Sequence, residues 1–154
     1  MTPRGISMRS LQDPETLRTD DSIEHAVRRL VETDLPALPV VNPSGHFAGI
    51  FGEREVMSAL FPGYLDQLKS AAFLQRSLDE TIAKRDTCRT ERVEQHMNRE
   101  HIEVDPDHSD TQLAEIFLHH RVLIIPVVDN GRVTGVITRS AFFHALAERF
   151  LDGR

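Results

Sequence analysis

Apolar and polar residues follow the same sequence of patterns twice along the chain. The first copy contains an amphipathic helical pattern with apolar residues three and four positions apart, at Ile23, Ala26, Val27, Leu30 and Val31. A β-branched run, a polar turn and a second short extended segment follow it. Another amphipathic helical pattern ends each copy. With a short extended piece before the first helix, the pattern predicts the order strand, helix, strand, strand, helix, twice.

The two copies align residue by residue, which identifies them as an internal repeat. Residues 38–41 (LPVV) match residues 125–128 (IPVV), 87 positions later, and residues 49–51 (GIF) match residues 135–137 (GVI), 86 positions later. The offset falls by one because the first central turn is one residue longer than the second. Loops tolerate such length changes, so a duplicated hairpin explains the shift.

Local signals set the expected bounds of each element. Extended pieces are predicted at 16–18 and 102–104, and Ser22 and Ser109 are expected to cap the first helix of each copy. The apolar strands are expected to begin at Pro39 and Pro126, because proline is tolerated where a strand starts. Strands at 47–51 and 132–137 and helices at 53–61 and 140–150 complete the two units.

These elements divide the chain into five parts. We expect an N-terminal tail at 1–9, a first repeat at 10–61, a helical insertion at 62–92, a second repeat at 93–150 and a C-terminal tail at 151–154. The second half of the insertion is rich in charge, which predicts a solvated helix with Cys88 exposed on it. The insertion is read as a surface spacer, with a regulatory or dimer-contact role as the alternative.

Composition narrows the class of protein. The chain has 154 residues, 40% hydrophobic and 27% charged, which is enough for a packed core. Its net charge of −6 argues against nucleic acid as a partner. A single cysteine and no signal segment predict a cytoplasmic protein, and the longest apolar run, 122–128, is far shorter than the ~20 residues that span a bilayer.

The second repeat carries a specific motif, IPVVD at 125–129 followed by GVITR at 135–139. In this order and spacing the residues resemble the tandem cystathionine-beta-synthase (CBS) domain pair, or Bateman module, over residues 10–61 and 93–148. The resemblance implies an α+β fold in which two βαββα repeats pack about a pseudo-twofold axis with two clefts between them. It also implies a stand-alone, non-enzymatic regulatory module that dimerises.

Members of that family bind adenosyl ligands in the clefts, so the resemblance implies AMP, ADP, ATP or S-adenosylmethionine as the ligand. No cofactor is required, and the module would signal to a regulated protein that the sequence does not identify. A ligand-free dimeric scaffold with degenerate clefts is the alternative, because Gly52 and Ala141 depart from the family motif.

Candidate site residues follow from what such a ligand needs. Apolar strands would flank the base, an anion would sit where a strand meets a helix N-terminus, and a carboxylate such as that of Glu55 would accept from ribose hydroxyls. The first cleft is assigned Leu38, Pro39, Val40, Gly49, Arg54 and Glu55. The second is assigned Val104, Arg121, Ile125, Pro126, Val127, Gly135, Thr138 and Arg139.

Other chemistry has weaker support. No nucleophile elbow or P-loop occurs, so we expect no enzyme activity and no catalytic residues. A zinc site would have to be built on His96, His101, His119 and His120, whose spacing is poor for a metal, and none is assigned. A dimer contact is expected on the last helix, at Phe142, Phe143, Leu146 and Phe150, although these residues could equally form core.

Overall fold

The computed structural model describes residues 5–6, 10–61 and 78–153. The first repeat contains β2 (Leu17–Arg18), α1 (Ile23–Thr33), β3 (Ala37–Val41), β4 (Phe47–Gly52) and α2 (Glu53–Leu60), preceded by β1 (Leu11–Gln12). The insertion supplies α3 (Leu78–Lys84) and a 3-10 helix (Asp86–Thr90), and a second 3-10 helix (Val93–Gln95) begins the second repeat. The second repeat contains α4 (Asp110–His119), β5 (Ile124–Asp129), β6 (Arg132–Thr138) and α5 (Arg139–Asp152). The predicted order is therefore complete in the first repeat and lacks its first strand in the second, and the fold is α+β.

Two small sheets carry the two repeats, with strand orders β2-β3-β4 and β1-β6-β5. The two hairpins β3-β4 and β5-β6 are antiparallel, whereas β2 runs parallel to β3. The strand predicted at 102–104 is reduced to a single parallel bridge between Val104 and Val127. Ser22 and Ser109 cap α1 and α4 as predicted, since each hydroxyl accepts a backbone N–H bond of 3.1 Å.

The segment that opens each repeat, its lead-in, is paired with the other repeat. Strand β1 opens the first repeat but pairs with β6 of the second. Asn98 lies near the start of the second repeat but exchanges two backbone hydrogen bonds, of 2.8 and 3.0 Å, with Ile50 in β4. Ile6, expected in a tail, packs on the second core and donates its N–H to Asp110. The exchange is reciprocal, so each lead-in ties the two repeats together.

The faces of the sheets that point away from the helices meet between the repeats. A small buried cluster of Ala37, Ile124 and Val136 fills this interface. At the tips of the hairpins, Phe47 donates its backbone N–H to the carbonyl of Gly131 at 2.7 Å. Burial of apolar surface therefore holds the repeats together at the centre, and a backbone hydrogen bond does so at one end.

The prolines lie inside strands rather than at their starts. Strands β3 and β5 begin two residues earlier than predicted, at Ala37 and Ile124. Pairing between β2 and β3 starts at Leu17 with Val40, so the position where Pro39 lacks its N–H lies beyond the end of the neighbouring strand. No ladder bond is lost there, which is why proline is tolerated inside the strand.

The insertion differs from its prediction where the structure describes it. The part of the expected helix that precedes Leu78 lies outside the described residues, and α3 follows it. The prediction that Cys88 is exposed is wrong, because its residue is only 4% exposed and the 3-10 helix that carries it contacts α1. Burial also raises the pKa of the Cys88 thiol. Abundant charges nearby suggested a solvated helix, but this short turn directs its one sulfur inward.

Helix lengths settle two further points. Helix α5 continues to Asp152, so the first two residues of the expected C-terminal tail are helical. Within the described ranges, no helix is both long enough and apolar enough to cross a membrane.

Candidate functional site

A cleft lies between the repeats, where the start of α2 approaches the loop before β5. It encloses about 50 Å³. Residues from both repeats and from the second lead-in line it: Ala37, Ile50, Arg54, Glu55, Asn98, Arg121, Val122, Leu123 and Ile124. Aliphatic side chains thus form the walls, and two guanidinium groups and one carboxyl group provide the charge.

The carboxyl group of Glu55 is held by its own helix. Its Oε1 accepts the backbone N–H of Gly52 at 2.8 Å, which satisfies one of the unpaired donors at the start of α2. Burial raises the pKa of Glu55, and the Gly52 hydrogen bond partly opposes that shift. An ionised carboxylate has two oxygens and about four lone-pair sites, so this capping bond leaves capacity for hydroxyl donors.

The two arginines come from opposite repeats. Arg54 lies in the first turn of α2, and Arg121 follows the end of α4. Guanidinium groups bind phosphate and carboxylate through paired N–H donors, so this cleft is suited to an anion. Arg121 was assigned to the second cleft with Thr138, and the structure places it in this cleft with Arg54 and Glu55, whose lining does not include Thr138.

The predicted apolar walls belong to the cores of the repeats and do not line the cleft. Leu38 and Val40 are fully buried beneath α1 in the first core. The same holds in the second core for Val104, Ile125 and Val127. Successive residues of a strand face opposite sides, so their neighbours Ala37 and Ile124 face the other repeat instead. The apolar stripe of α1 already predicted this orientation, because a helix buries its apolar side against the apolar face of the neighbouring strand, here Leu38 and Val40.

The prolines lie on the same strand faces as Ala37 and Ile124 but do not line the cleft. Both Pro39 and Pro126 are fully buried. The carbonyl of Pro126 accepts the backbone N–H of Val104 at 3.0 Å, so it is already paired rather than open to a base.

The two predicted site glycines accommodate the exchanged lead-ins. A Cβ on Gly49 would lie 2.8 Å from the Asn98 carbonyl oxygen, and one on Gly135 would lie 2.6 Å from Leu11 Cδ1. Real Cβ atoms do not approach neighbours so closely. Glycine at these two positions therefore permits close packing between segments of the chain, and neither residue lines the cleft described above.

Thr138 and Arg139 lie at the start of α5 in the second repeat. The Thr138 hydroxyl is buried and accepts the N–H of Ala141 at 3.0 Å, so it caps the helix where we expected it to bind phosphate. Arg139 has an exposed side chain, and its backbone N–H bonds to the Leu123 carbonyl at 3.0 Å.

The repeat alignment relates Asp34, Ser140 and Ala141 to Arg121, Arg54 and Glu55. At these equivalent positions, Asp34 replaces the cation of Arg121, Ser140 replaces the cation of Arg54, and Ala141 replaces the carboxyl group of Glu55. An acid at the position of Arg121 repels phosphate, so the second set of positions is less suited to an anion.

No metal-binding arrangement is visible in the described ranges, where no group of three or more His, Cys, Asp or Glu side chains could hold an ion. The four histidines considered for zinc are not brought together. His96 instead contacts Glu91, with 3.1 Å between Nε2 and Oε1.

Comparison with known proteins agrees with the fold and the repeat. MJ1426 of Methanocaldococcus jannaschii, an uncharacterized protein, is 21% identical over 147 residues that cover 88% of each chain. The A-adding tRNA nucleotidyltransferase of Aquifex aeolicus is 26% identical over 137 residues, which are 88% of this chain but 13% of that enzyme.

Among solved structures, CBSX2 from Arabidopsis thaliana superposes with a TM-score of 0.72 at 17% identity, covering 97% of this chain and 99% of the other. CBSX2 in complex with AMP gives 0.68 at 16% identity, covering 96% and 99%. The family model of the CBS domain matches residues 4–62 and 93–148. This chain is accordingly a member of the CBS domain family, built as a tandem pair.

Proposed function

We propose that this protein is a non-enzymatic regulatory module of the cytoplasm, with repeats at 10–61 and 93–150, that binds an adenosyl nucleotide in the cleft between them. The observation that carries the proposal is the convergence of Arg54, Glu55 and Arg121 around an aliphatic cleft. The two guanidiniums suit the phosphate, the carboxylate suits the ribose hydroxyls, and Ile50 and Ile124 suit the base. The structure of CBSX2 with AMP supports this ligand class.

Binding would change how the two repeats pack. Ligand pockets usually enclose about 300–1,000 Å³, so a cleft of about 50 Å³ must widen to hold a nucleotide. Its walls belong to different repeats, and a bound nucleotide would therefore favour a more open arrangement. A regulated protein that recognises only one arrangement would then respond to ligand through a shift in population.

Titration calorimetry with AMP, ADP, ATP and S-adenosylmethionine tests the proposal directly. We expect at least one of them to bind one site per chain. No heat with any of the four at millimolar concentration would remove the sensing function. The remaining candidate would then be the ligand-free scaffold, which the small volume of the cleft favours.

A thermal melt separates the same two candidates at low cost. A ligand that binds only the folded state raises the melting temperature by mass action. We expect this rise with the nucleotide that binds in calorimetry, and an unchanged midpoint with all four would favour the scaffold.

Replacing Arg121 with alanine should weaken nucleotide binding by about tenfold to a hundredfold, because a hydrogen bond to a charged group contributes about 1.5–3 kcal/mol. The affinity for AMP is measured by calorimetry. Arg18→Ala is the matched control, since Arg18 is exposed and outside the cleft. A loss of affinity in Arg139→Ala, with none in Arg121→Ala, would move the site to the second repeat.

Binding of adenosine should strengthen as the pH rises from 4.5. Burial raises the pKa of Glu55 above its ordinary value of 4.5. The ionised carboxylate, which would accept hydrogen bonds from the ribose, therefore forms only above that pH. Adenosine is chosen because it lacks a phosphate that titrates near pH ~6. In Glu55→Gln the dependence should disappear, and an identical pH profile in that variant would exclude Glu55 as its source.

The same shift affects stability in the opposite direction. A carboxyl whose pKa is raised on folding stabilises the folded state fully below its unfolded pKa, and that contribution is lost as the pH rises through the folded value. Between the two values the folded protein should lose stability with rising pH, and Glu55→Gln should remove this loss.

We also propose that the module forms a homodimer through its exposed apolar helix surfaces. Leu118 and Phe143 are more than half exposed in the second repeat, and so are the equivalent Val31 and Met57 in the first. Phe142, expected at this surface, is buried in the second core. Burying such side chains against a second copy would be favourable.

Phe143→Glu should shift the protein from dimer to monomer, because the interface would then bury a charge. Sedimentation at micromolar concentration measures the mass. Ser140→Glu adds the same charge to an exposed position of the same helix and should leave the dimer intact. A wild-type protein that sediments as a monomer would contradict the proposal.

A further inference from the structure

A second, larger groove lies on the first repeat, away from the cleft between the repeats. It encloses about 320 Å³ between α1, α2 and the last part of the insertion. Its apolar wall consists of Ile23, Val27, Val56, Leu60 and Ile82. This volume is within the range of small-molecule sites, whereas the cleft between the repeats is well below it.

Guanidinium groups lie along one side of this groove. Three arginines line it, Arg28, Arg85 and Arg89, together with the acids Glu24 and Asp86. Glu91, outside the lining, pairs with Arg85, so the arginines and the acids are equal in number, but each guanidinium has five N–H donors. Their ion pairs therefore leave donors for a further anion.

Each of these arginines is already ion-paired. Arg28 and Arg89 both approach Glu24 at 3.4 Å, Arg89 also contacts Asp86 at 2.5 Å, and Arg85 approaches Glu91 at 3.4 Å. The side chains of Arg28 and Arg89 are more than half exposed. Arg85 is placed firmly at the edge of the groove because its Nε–H donates to the Ala59 carbonyl at 3.1 Å. An apolar trough beside fixed and adjustable guanidiniums matches a molecule with an aliphatic chain and an anionic end.

We propose that this groove binds an aliphatic carboxylate, with the chain between α1 and α2 and the carboxylate at Arg85 and Arg89. The site is separate from the nucleotide cleft, but both use α2. Arg54 and Glu55 at its first turn line the cleft, whereas Val56 and Leu60 line the groove.

Decanoate is the probe, titrated below its micelle concentration into the full chain with labelled Ile, Leu and Val methyl groups. We expect methyl signals of Val27, Val56 and Leu60 to shift, and those of Leu118 and Leu146 on the exposed surface of the second repeat to stay unchanged. Decanol, which has the same chain without the charge, should bind at least fivefold more weakly. Shifts confined to the second repeat, no shift up to millimolar probe, or equal binding of decanol would overturn the proposal.

Two pairs of variants test the site. Ile82→Glu places a carboxylate in the groove at a partly exposed position and should weaken decanoate at least tenfold. Its control, Leu151→Glu, places the same charge at an exposed leucine outside the groove and should change affinity less than twofold. Arg89→Ala should weaken decanoate about fivefold, whereas Arg99→Ala, at an exposed arginine outside the groove, should not. Wild-type affinity in both Ile82→Glu and Arg89→Ala would show that decanoate binds elsewhere.

Discussion

Replacing Leu38 with alanine should lower the free energy of unfolding by about 2–5 kcal/mol, because the change leaves a cavity in a closed core. Leu38 is 0% exposed and lies in one buried cluster with Ile23, Ala26 and Phe51. Urea unfolding followed by circular dichroism gives the value. Leu151→Ala is the matched control, since that leucine is largely exposed and its loss should cost less than about 0.5 kcal/mol.

This experiment separates a core residue from a cleft residue. The motif alone suggested that Leu38 touches the base of a nucleotide. If Leu38→Ala kept its full stability but lost nucleotide binding, Leu38 would belong to the cleft after all, and the alternation of side chains along β3 would have been misread.

Replacing Gly52 with threonine, the residue that the related motif carries here, should destabilise the protein by about 1–3 kcal/mol through overpacking. A Cβ at this position would lie 2.5 Å from both the Pro36 carbonyl oxygen and the Ala37 Cβ. Backbone conformation is not the cause, because φ at Gly52 is −151° and any residue can adopt it. Thermal and urea unfolding of the variant measure the loss.

The other departure from the motif provides the comparison. Ala141→Asp adds the missing carboxylate to the first turn of α5, where a negative charge is favourable by about 0.3–1 kcal/mol. We expect its stability to be unchanged or slightly higher. A stable Gly52→Thr variant would mean that Pro36 and Ala37 can move aside, and that the missing hydroxyl does not reflect a steric limit.

Local patterns in the sequence were sufficient for most elements. Spacing of apolar residues predicted the helices, and serine chemistry predicted the starts of α1 and α4. Strand starts were less accurate, because the rule that proline begins a strand assumes a neighbour along the whole strand. Strand β3 lies between β2 and β4, and β2 is only two residues long, so Pro39 can lie inside β3 without losing a hydrogen bond to β2.

The candidate site was harder to predict for a different reason. Arg54 and Glu55 follow from a local motif, and both line the cleft. Arg121 is close to them only because the loop before β5 faces α2 of the other repeat. The aliphatic lining from Ala37, Ile50 and Ile124 was missed, because the motif emphasises the apolar residues of the opposite strand face.

The sequence by itself determined the duplication, the α+β class, the helix caps and the charged residues at the start of α2. These depend on residues close together in the chain, where periodicity and short-range hydrogen bonds act. Only the tertiary structure decided the exchange of lead-ins between repeats, the close packing that requires Gly49 and Gly52, and the pairing of Arg121 with Arg54. Each of these depends on contacts between segments distant in sequence, which arise only when the two sheets meet.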